Sequence, residues 1–86
     1  MNVTGAVYSI SEPEIINEKI KKQVLILKTD ESFPQFLKME TINDKCEILS
    51  ELKNDDFISV DFNLRGKIAS NGNCYNSLVI FRAEKI

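Results

Sequence analysis

The last third of the chain constrains its fold most. After Asp56 it reads FISVDFNLRGKIASNGNCYNSLVIFRAEKI, two apolar-alternating runs on either side of Asn71-Gly72-Asn73. Alternation of period two marks a strand with one buried face, and Asn-Gly between two such runs is a strong local signal for a hairpin. The sequence therefore ends on a β-hairpin. Upstream it reads strand, strand, strand, short helix. With 86 residues, a single domain spans 1–86. A domain this small buries little core, so it gains from a sheet that closes on itself.

The first strand is Val3–Ile10, with Val3, Gly5 and Val7 on one face. A glycine inside a strand predicts a bend or a close backbone approach, which suits a strand shared between two sheets. Ser11-Glu12-Pro13 interrupts it. Glu14–Lys22, polar and basic at its end, reads as the loop to the second strand, with room for some irregular strand. The second strand is Gln23–Thr29, with Leu25 and Leu27 inward and Val24, Ile26 and Lys28 outward. Asp30-Glu31-Ser32 is a turn. In the third strand, Gln35–Thr41, Leu37 and Met39 alternate with Phe36, Lys38 and Glu40.

Asn43 or Asp44 can cap a helix, and Glu47 follows Asp44 at the spacing of a capping box. Cys46, Ile48, Leu49 and Leu52 follow on one helical face, so a short helix is expected to plug one end of the sheet. In the fourth strand Ile58, Val60, Phe62 and Leu64 share one face, and Ser59, Asp61, Asn63 and Arg65 the other. Gly66 breaks the alternation, as a bulge does. The fifth strand runs from about Tyr75 to Ala83. Phe57, Phe62 and Phe81 lie in strongly apolar runs and are expected in the core. The expected fold class is all-β: a five-stranded OB-fold barrel with one short helix between the third and fourth strands.

Composition narrows the functional classes. The chain is 43% hydrophobic and 28% charged, hence globular. No apolar run approaches the ~20 residues of a membrane span. Met1–Ile10 lacks the basic region and apolar core of a secretion signal, so a cytoplasmic protein is expected. Cys46 and Cys74 have no metal-type spacing and are expected as reduced, partly buried thiols. There is no histidine, which removes the commonest general base and metal ligand. The carboxylates form no catalytic constellation. The expectation is a protein without catalysis, metal or cofactor.

Net charge is −2 and uneven. Seven acids and two bases lie between Glu40 and Asp61, leaving nine bases against six acids elsewhere. A mildly acidic whole can therefore carry a basic face, although an acidic, solvated helix explains the same asymmetry.

Several short motifs sharpen the fold expectation: Val3-Thr4-Gly5, Lys22-Gln23 before Leu25 and Leu27-Lys28-Thr29, Phe33-Pro34, Phe62-Asn63-Leu64-Arg65-Gly66, and Arg82-Ala83-Glu84-Lys85-Ile86. Together they resemble a family of short bacterial and phage OB-fold proteins of unknown function, compact relatives of single-stranded DNA-binding proteins. Glu84 stands where that family carries a tryptophan, and Asp55-Asp56 where it tends to carry Gly-Asp. The resemblance implies a non-catalytic single-stranded DNA-binding protein of weak sequence preference, acting in replication, recombination or repair in a bacterial or phage-infected cell.

Single-stranded nucleic acid needs cations along its phosphates and flat side chains against its bases. An OB barrel offers both on the face of its second and third strands, flanked by the 1–2 and 4–5 loops. The candidate cations are Lys19, Lys21 and Lys22 in or beside the first loop, Lys28 and Lys38 on the two strands, and Arg65 and Lys67 near the last loop. A solvated loop also explains the first three, and pairing with Asp61 also explains Arg65. Phe36, on the face of Lys38, is the preferred stacking residue; Tyr8 and Tyr75 are further candidates, and Phe33 fits either stacking or packing. RNA would use the same groove, and a homodimer would lengthen it. The alternative is a protein-interaction or assembly module without nucleic acid, using Val24 and Ile26 as an exposed apolar stripe.

Overall fold

The computed structural model describes residues 1–86. Its elements are β1 (Asn2–Ile10), β2 (Glu14–Asn17), β3 (Ile20–Thr29), β4 (Phe36–Ile42), a 3-10 helix (Asn43–Glu51), β5 (Phe57–Ile68) and β6 (Cys74–Lys85). The strands form one sheet in the order β1-β5-β6-β4-β3-β2, and an additional β1–β3 pairing closes it into a ring. All pairings are antiparallel except β4 with β6, which is parallel.

The ring closes at Gly5. β1 pairs with β5 through Asn2–Ala6 and with β3 through Gly5–Ile10, so the two partners overlap at Gly5 and Ala6. A Cβ on Gly5 would lie 2.2 Å from the Lys28 carbonyl oxygen. The close approach expected from a glycine inside a strand is thus present, and it lets one strand serve both halves of the sheet.

The segment Glu14–Lys22, expected as a loop with room for irregular strand, contains β2 and the start of β3, paired with an irregularity between Ile15 and Asn17 and joined by a tight turn. Asn17 Oδ1 accepts the backbone N–H groups of Lys19 at 2.8 Å and Ile20 at 3.0 Å. This side-chain turn folds β2 back on β3. Ser11 carries the pairing across the break: its N–H donates to the Val24 carbonyl at 2.8 Å, and its Oγ accepts the Val24 N–H at 2.9 Å. The sheet therefore has six strands, five of them in the ring.

The core consists of the inward faces of the strands, namely Val7, Leu25, Leu27, Met39, Ile58, Val60, Phe62 and Ile80, with Leu49 and Leu52 beneath them. The inward alternation expected for β3 and β4 holds. The helix differs from the expected capped α-helix. No side chain caps it, and Asn43, in the left-handed region at φ 54°, instead accepts the Lys21 N–H at 2.9 Å. Buried Cys46, Leu49 and Leu52 recur every third residue, the period of a helix with about three residues per turn.

Three further expectations are corrected. Leu64 is 58% exposed, because the N-terminal strand accompanies β5 only as far as Phe62, which Met1 brackets with two hydrogen bonds, and beyond the Leu64–Leu78 pair the β5–β6 ribbon runs on alone. Gly66 pairs in register with Asn76; the irregularity lies between Asp61 and Phe62, where Phe81 is the extra residue on β6. Phe81 is accordingly on the surface, Phe57 is outward because its neighbour Ile58 takes the inward position, and only Phe62 of the three phenylalanines is in the core. Cys46 and Cys74 are both free thiols, the first buried and the second exposed. The terminal hairpin is as expected, with Gly72 at φ 89° and the Asn73 N–H held by Asn71 Oδ1 at 3.0 Å. No helix is long and apolar enough to cross a membrane.

Candidate nucleic-acid interface

Alternation along β3 and β4 decides which residues leave the core. Leu25, Leu27, Met39 and Thr41 are buried, so Val24, Ile26, Lys28, Phe36, Lys38 and Glu40 share the outer face. Across the two strands Lys28 lies opposite Phe36, Ile26 opposite Lys38, and Val24 opposite Glu40. Val24 and Ile26 are half-buried, not the freely exposed stripe expected. They form an apolar floor between the charged positions.

Tyr8 reaches this face through an irregularity in β1. Val7 pairs with Leu27 and Ser9 with Ile26, leaving Tyr8 as the extra residue. Its ring meets Phe36 edge-on, with centroids 5.0 Å apart and planes at 75°. Such a pair contributes about 0.5–1.5 kcal/mol beyond its burial. Tyr8 remains 58% exposed and Phe36 57% exposed, so each ring is positioned while most of its surface stays in water.

The charges around this face are unequally occupied. Ion pairs join Lys22 to Glu40 at 2.9 Å, Lys85 to Asp56 at 3.4 Å, and Arg82 to Glu84. Lys28 and Lys38 belong to none of them. On the opposite half of the sheet, Asn2 Nδ2 donates to Ser59 Oγ at 2.9 Å and Asp61 Oδ1 at 2.7 Å, and the Arg82–Glu84 pair is adjacent in the β5–β6 register. Those groups are satisfied within that half, whereas free cations meet open aromatic rings at two places, the β3–β4 face and the β5–β6 ribbon, where Arg65 and Lys67 are unpaired and Tyr75 is exposed.

Asp56 organises the turn into β5. The Lys53 N–H, donating to Asp56 Oδ2 at 2.8 Å, holds the carboxyl below its ordinary pKa, and the Lys85 ammonium adds to this against the cost of desolvation. The same turn grips β1: the Val7 N–H donates to the Asp56 carbonyl and the Asp55 N–H to the Val7 carbonyl, each at 2.8 Å.

The ten residues expected at a binding site fall into three groups. Tyr8, Lys28, Phe36 and Lys38 come together on the β3–β4 face, with Lys22 at its far end tied to Glu40. Arg65, Lys67 and Tyr75 share one face of the ribbon, where Lys67 lies opposite Tyr75 and Arg65 opposite Ser77. Lys19 and Lys21 face elsewhere: with Asn43, Asp44 and Glu47 they line an open cleft of about 440 Å³ beside the helix, with no hydrophobic residue in its wall. Phe33, which fits either stacking or packing by its sequence position, is 82% exposed in the loop between β3 and β4. Two bonds between Thr29 and Gln35 pinch the base of that loop: the Thr29 N–H to the Gln35 carbonyl at 2.9 Å and the Gln35 N–H to Thr29 Oγ1 at 2.8 Å. Phe33 therefore stands at the Lys28–Phe36 end of the face.

Residues 2–84 match the family described as "Domain of unknown function (DUF3127)". The chain belongs to this family. No curated protein matches it. The DUF3127 match takes in the whole ring, the helix and the ribbon, and with them all ten candidate residues. In this DUF3127 chain the aromatic pair and the unpaired lysines are therefore part of the matched domain.

Proposed function

We propose that the chain is a non-catalytic single-stranded DNA-binding protein built on an OB-fold barrel, with weak sequence preference, serving DNA replication, recombination or repair. The observation that carries this reading is the Tyr8–Phe36 ring pair standing beside the unpaired Lys28 and Lys38. Open rings supply stacking platforms and the lysines supply phosphate neutralisation, the two requirements of single-strand binding. The fold supports it: a ring closed by β1–β3, a parallel β4–β6 pairing, and a helix between β4 and β5 correspond to the OB arrangement. In that arrangement β3 and β4 carry the ligand face, the β2–β3 tip extends the first flanking loop, and the β5–β6 ribbon is the second.

A second reading, an assembly module, is favoured by one observation: Leu64 and Ile68 are 58% and 72% exposed on the ribbon face opposite Arg65 and Lys67. Fluorescence anisotropy separates the two. Labelled single strands should bind in preference to duplex and to RNA of the same sequence, and binding should weaken steeply with salt. It should fall when Lys28 and Lys38 are both changed to Glu. Absence of single-strand binding at low salt overturns the first reading; RNA bound more tightly than DNA changes its ligand.

A further inference from the structure

Glu40 is the one carboxylate on the outer face of β3 and β4, and it stands where a phosphate-binding surface gains nothing from negative charge. Its Oε2 is held by Lys22 Nζ at 2.9 Å, and its side chain is only 16% exposed. Fixing and neutralising a carboxylate in this way leaves its second oxygen, Oε1, as an oriented acceptor with no partner in the protein. Val24 lies directly opposite on β3 and Ile26 opposite Lys38, so the acceptor borders the half-buried apolar floor. Phe36, Lys38 and Glu40 follow at two-residue steps along one face of β4, placing Glu40 about 13 Å from Phe36.

We propose that Glu40 reads base identity: a nucleotide lying on Val24 and Ile26 donates its exocyclic amine to Glu40 Oε1. The site thereby prefers cytosine to thymine. This rests on the single-strand reading above. Cytosine presents its N4 amino group as a donor, and acidic side chains accept from it. Thymine presents the O4 oxygen in that place; its N3–H lies between two carbonyl oxygens that repel a carboxylate. Lys22 is a positioning residue here: it fixes the carboxylate and offsets its repulsion of the neighbouring phosphates.

The test is anisotropy with labelled oligo(dC) and oligo(dT) of equal length. The intact protein should bind oligo(dC) about tenfold more tightly, the scale of one hydrogen bond to a charged acceptor. Glu40→Asp keeps the charge but withdraws the acceptor by one methylene. It should bring the dC/dT ratio close to one and leave oligo(dT) binding nearly unchanged. Glu40→Gln removes the charge and should tighten binding to both oligonucleotides. Glu40 lies outside the apolar core but is largely covered and paired with Lys22, so both variants should stay folded with melting temperatures lowered by a few degrees. Equal affinity of the intact protein for the two oligonucleotides overturns the role of Glu40 and leaves single-strand binding standing. Failure to bind either at low salt overturns both.

Discussion

Gly5 and Lys28 are packed backbone to backbone: a Cβ on Gly5 would sit 2.2 Å from the Lys28 carbonyl oxygen and 3.1 Å from Thr29 Cα. No flexible side chain stands there to give way. The contact lies where β1 passes from β5 to β3, so the same glycine closes the ring and sets the position of Lys28 on the candidate face.

Gly5→Ala should therefore force β1 and β3 apart. Overpacking a tight site costs about 1–3 kcal/mol, and occasionally more. For a chain with so small a core that is a large part of its stability. Urea unfolding should show a clearly lowered midpoint, or an unfolded chain at 25 °C. An unchanged midpoint would mean that the strands separate without cost and that Gly5 does not determine closure.

Much of this architecture can be read from residues whose signal is local. Alternation marks Leu25, Leu27, Ile58, Val60 and Phe62 as inward-facing, and Asn71-Gly72-Asn73 makes its turn by its own conformational preference. The features that escape the sequence depend on partners distant in the chain. Leu64 continues the inward alternation of Ile58, Val60 and Phe62, yet is exposed because the N-terminal strand ends its pairing at Phe62. Glu14–Asn17 has no alternation, and it becomes a strand because Asn17 turns the chain back on β3. Lys19 and Lys21 look like Lys28 in composition, but the Asn43 side chain ties β3 to the start of the helix and puts them beside Asp44 and Glu47. The every-third spacing of Cys46, Leu49 and Leu52 was the available clue to a tighter helix, obscured by Ile48 beside it.

Phe36→Ala and Tyr8→Ala test the stacking platform. Each stacked base contributes roughly 1–3 kcal/mol, so each variant should lose about 5- to 150-fold in single-strand affinity. Each variant also loses the ring–ring contact, so melting temperatures should fall by several degrees while the chain stays folded at 25 °C. The rings orient each other, so the double variant should lose less than the product of the single losses. Anisotropy titrations of the three variants check this, and unchanged affinity in Phe36→Ala would remove the platform from the site.

The salt slope separates lysines on the face from those beside the acids. Each phosphate contacted on a single strand adds about 0.7 to the slope of log affinity against log salt. Lys28→Ala and Lys38→Ala should each reduce that slope by about this amount. Lys21→Ala, in the cleft with Asp44 and Glu47, should leave it unchanged. Titrations over a salt series read this directly. A reduced slope in Lys21→Ala would extend the bound strand past Lys22 to the hairpin tip.

Asp56 gives the fold an acid-sensitive joint. Its carboxyl accepts the Lys53 N–H and faces Lys85, and its pKa in the folded chain is held below the ordinary aspartate value. A lowered folded pKa means that the unfolded chain takes up the proton first as pH falls. The stabilisation is therefore complete above the ordinary aspartate value and is lost as pH falls through the lowered one. Asp56→Asn keeps an acceptor for the Lys53 N–H but loses the charge. It should be less stable than the parent at neutral pH, and the difference should shrink through the acid range. Urea midpoints measured from neutral pH down to acid pH check the sign. On acidification the first amide to lose exchange protection should be that of Lys53, which donates to the carboxylate itself, followed by those of Asp55 and Val7, which the same turn holds. A difference that stays constant with pH would assign the loss to altered turn geometry instead of the carboxylate charge.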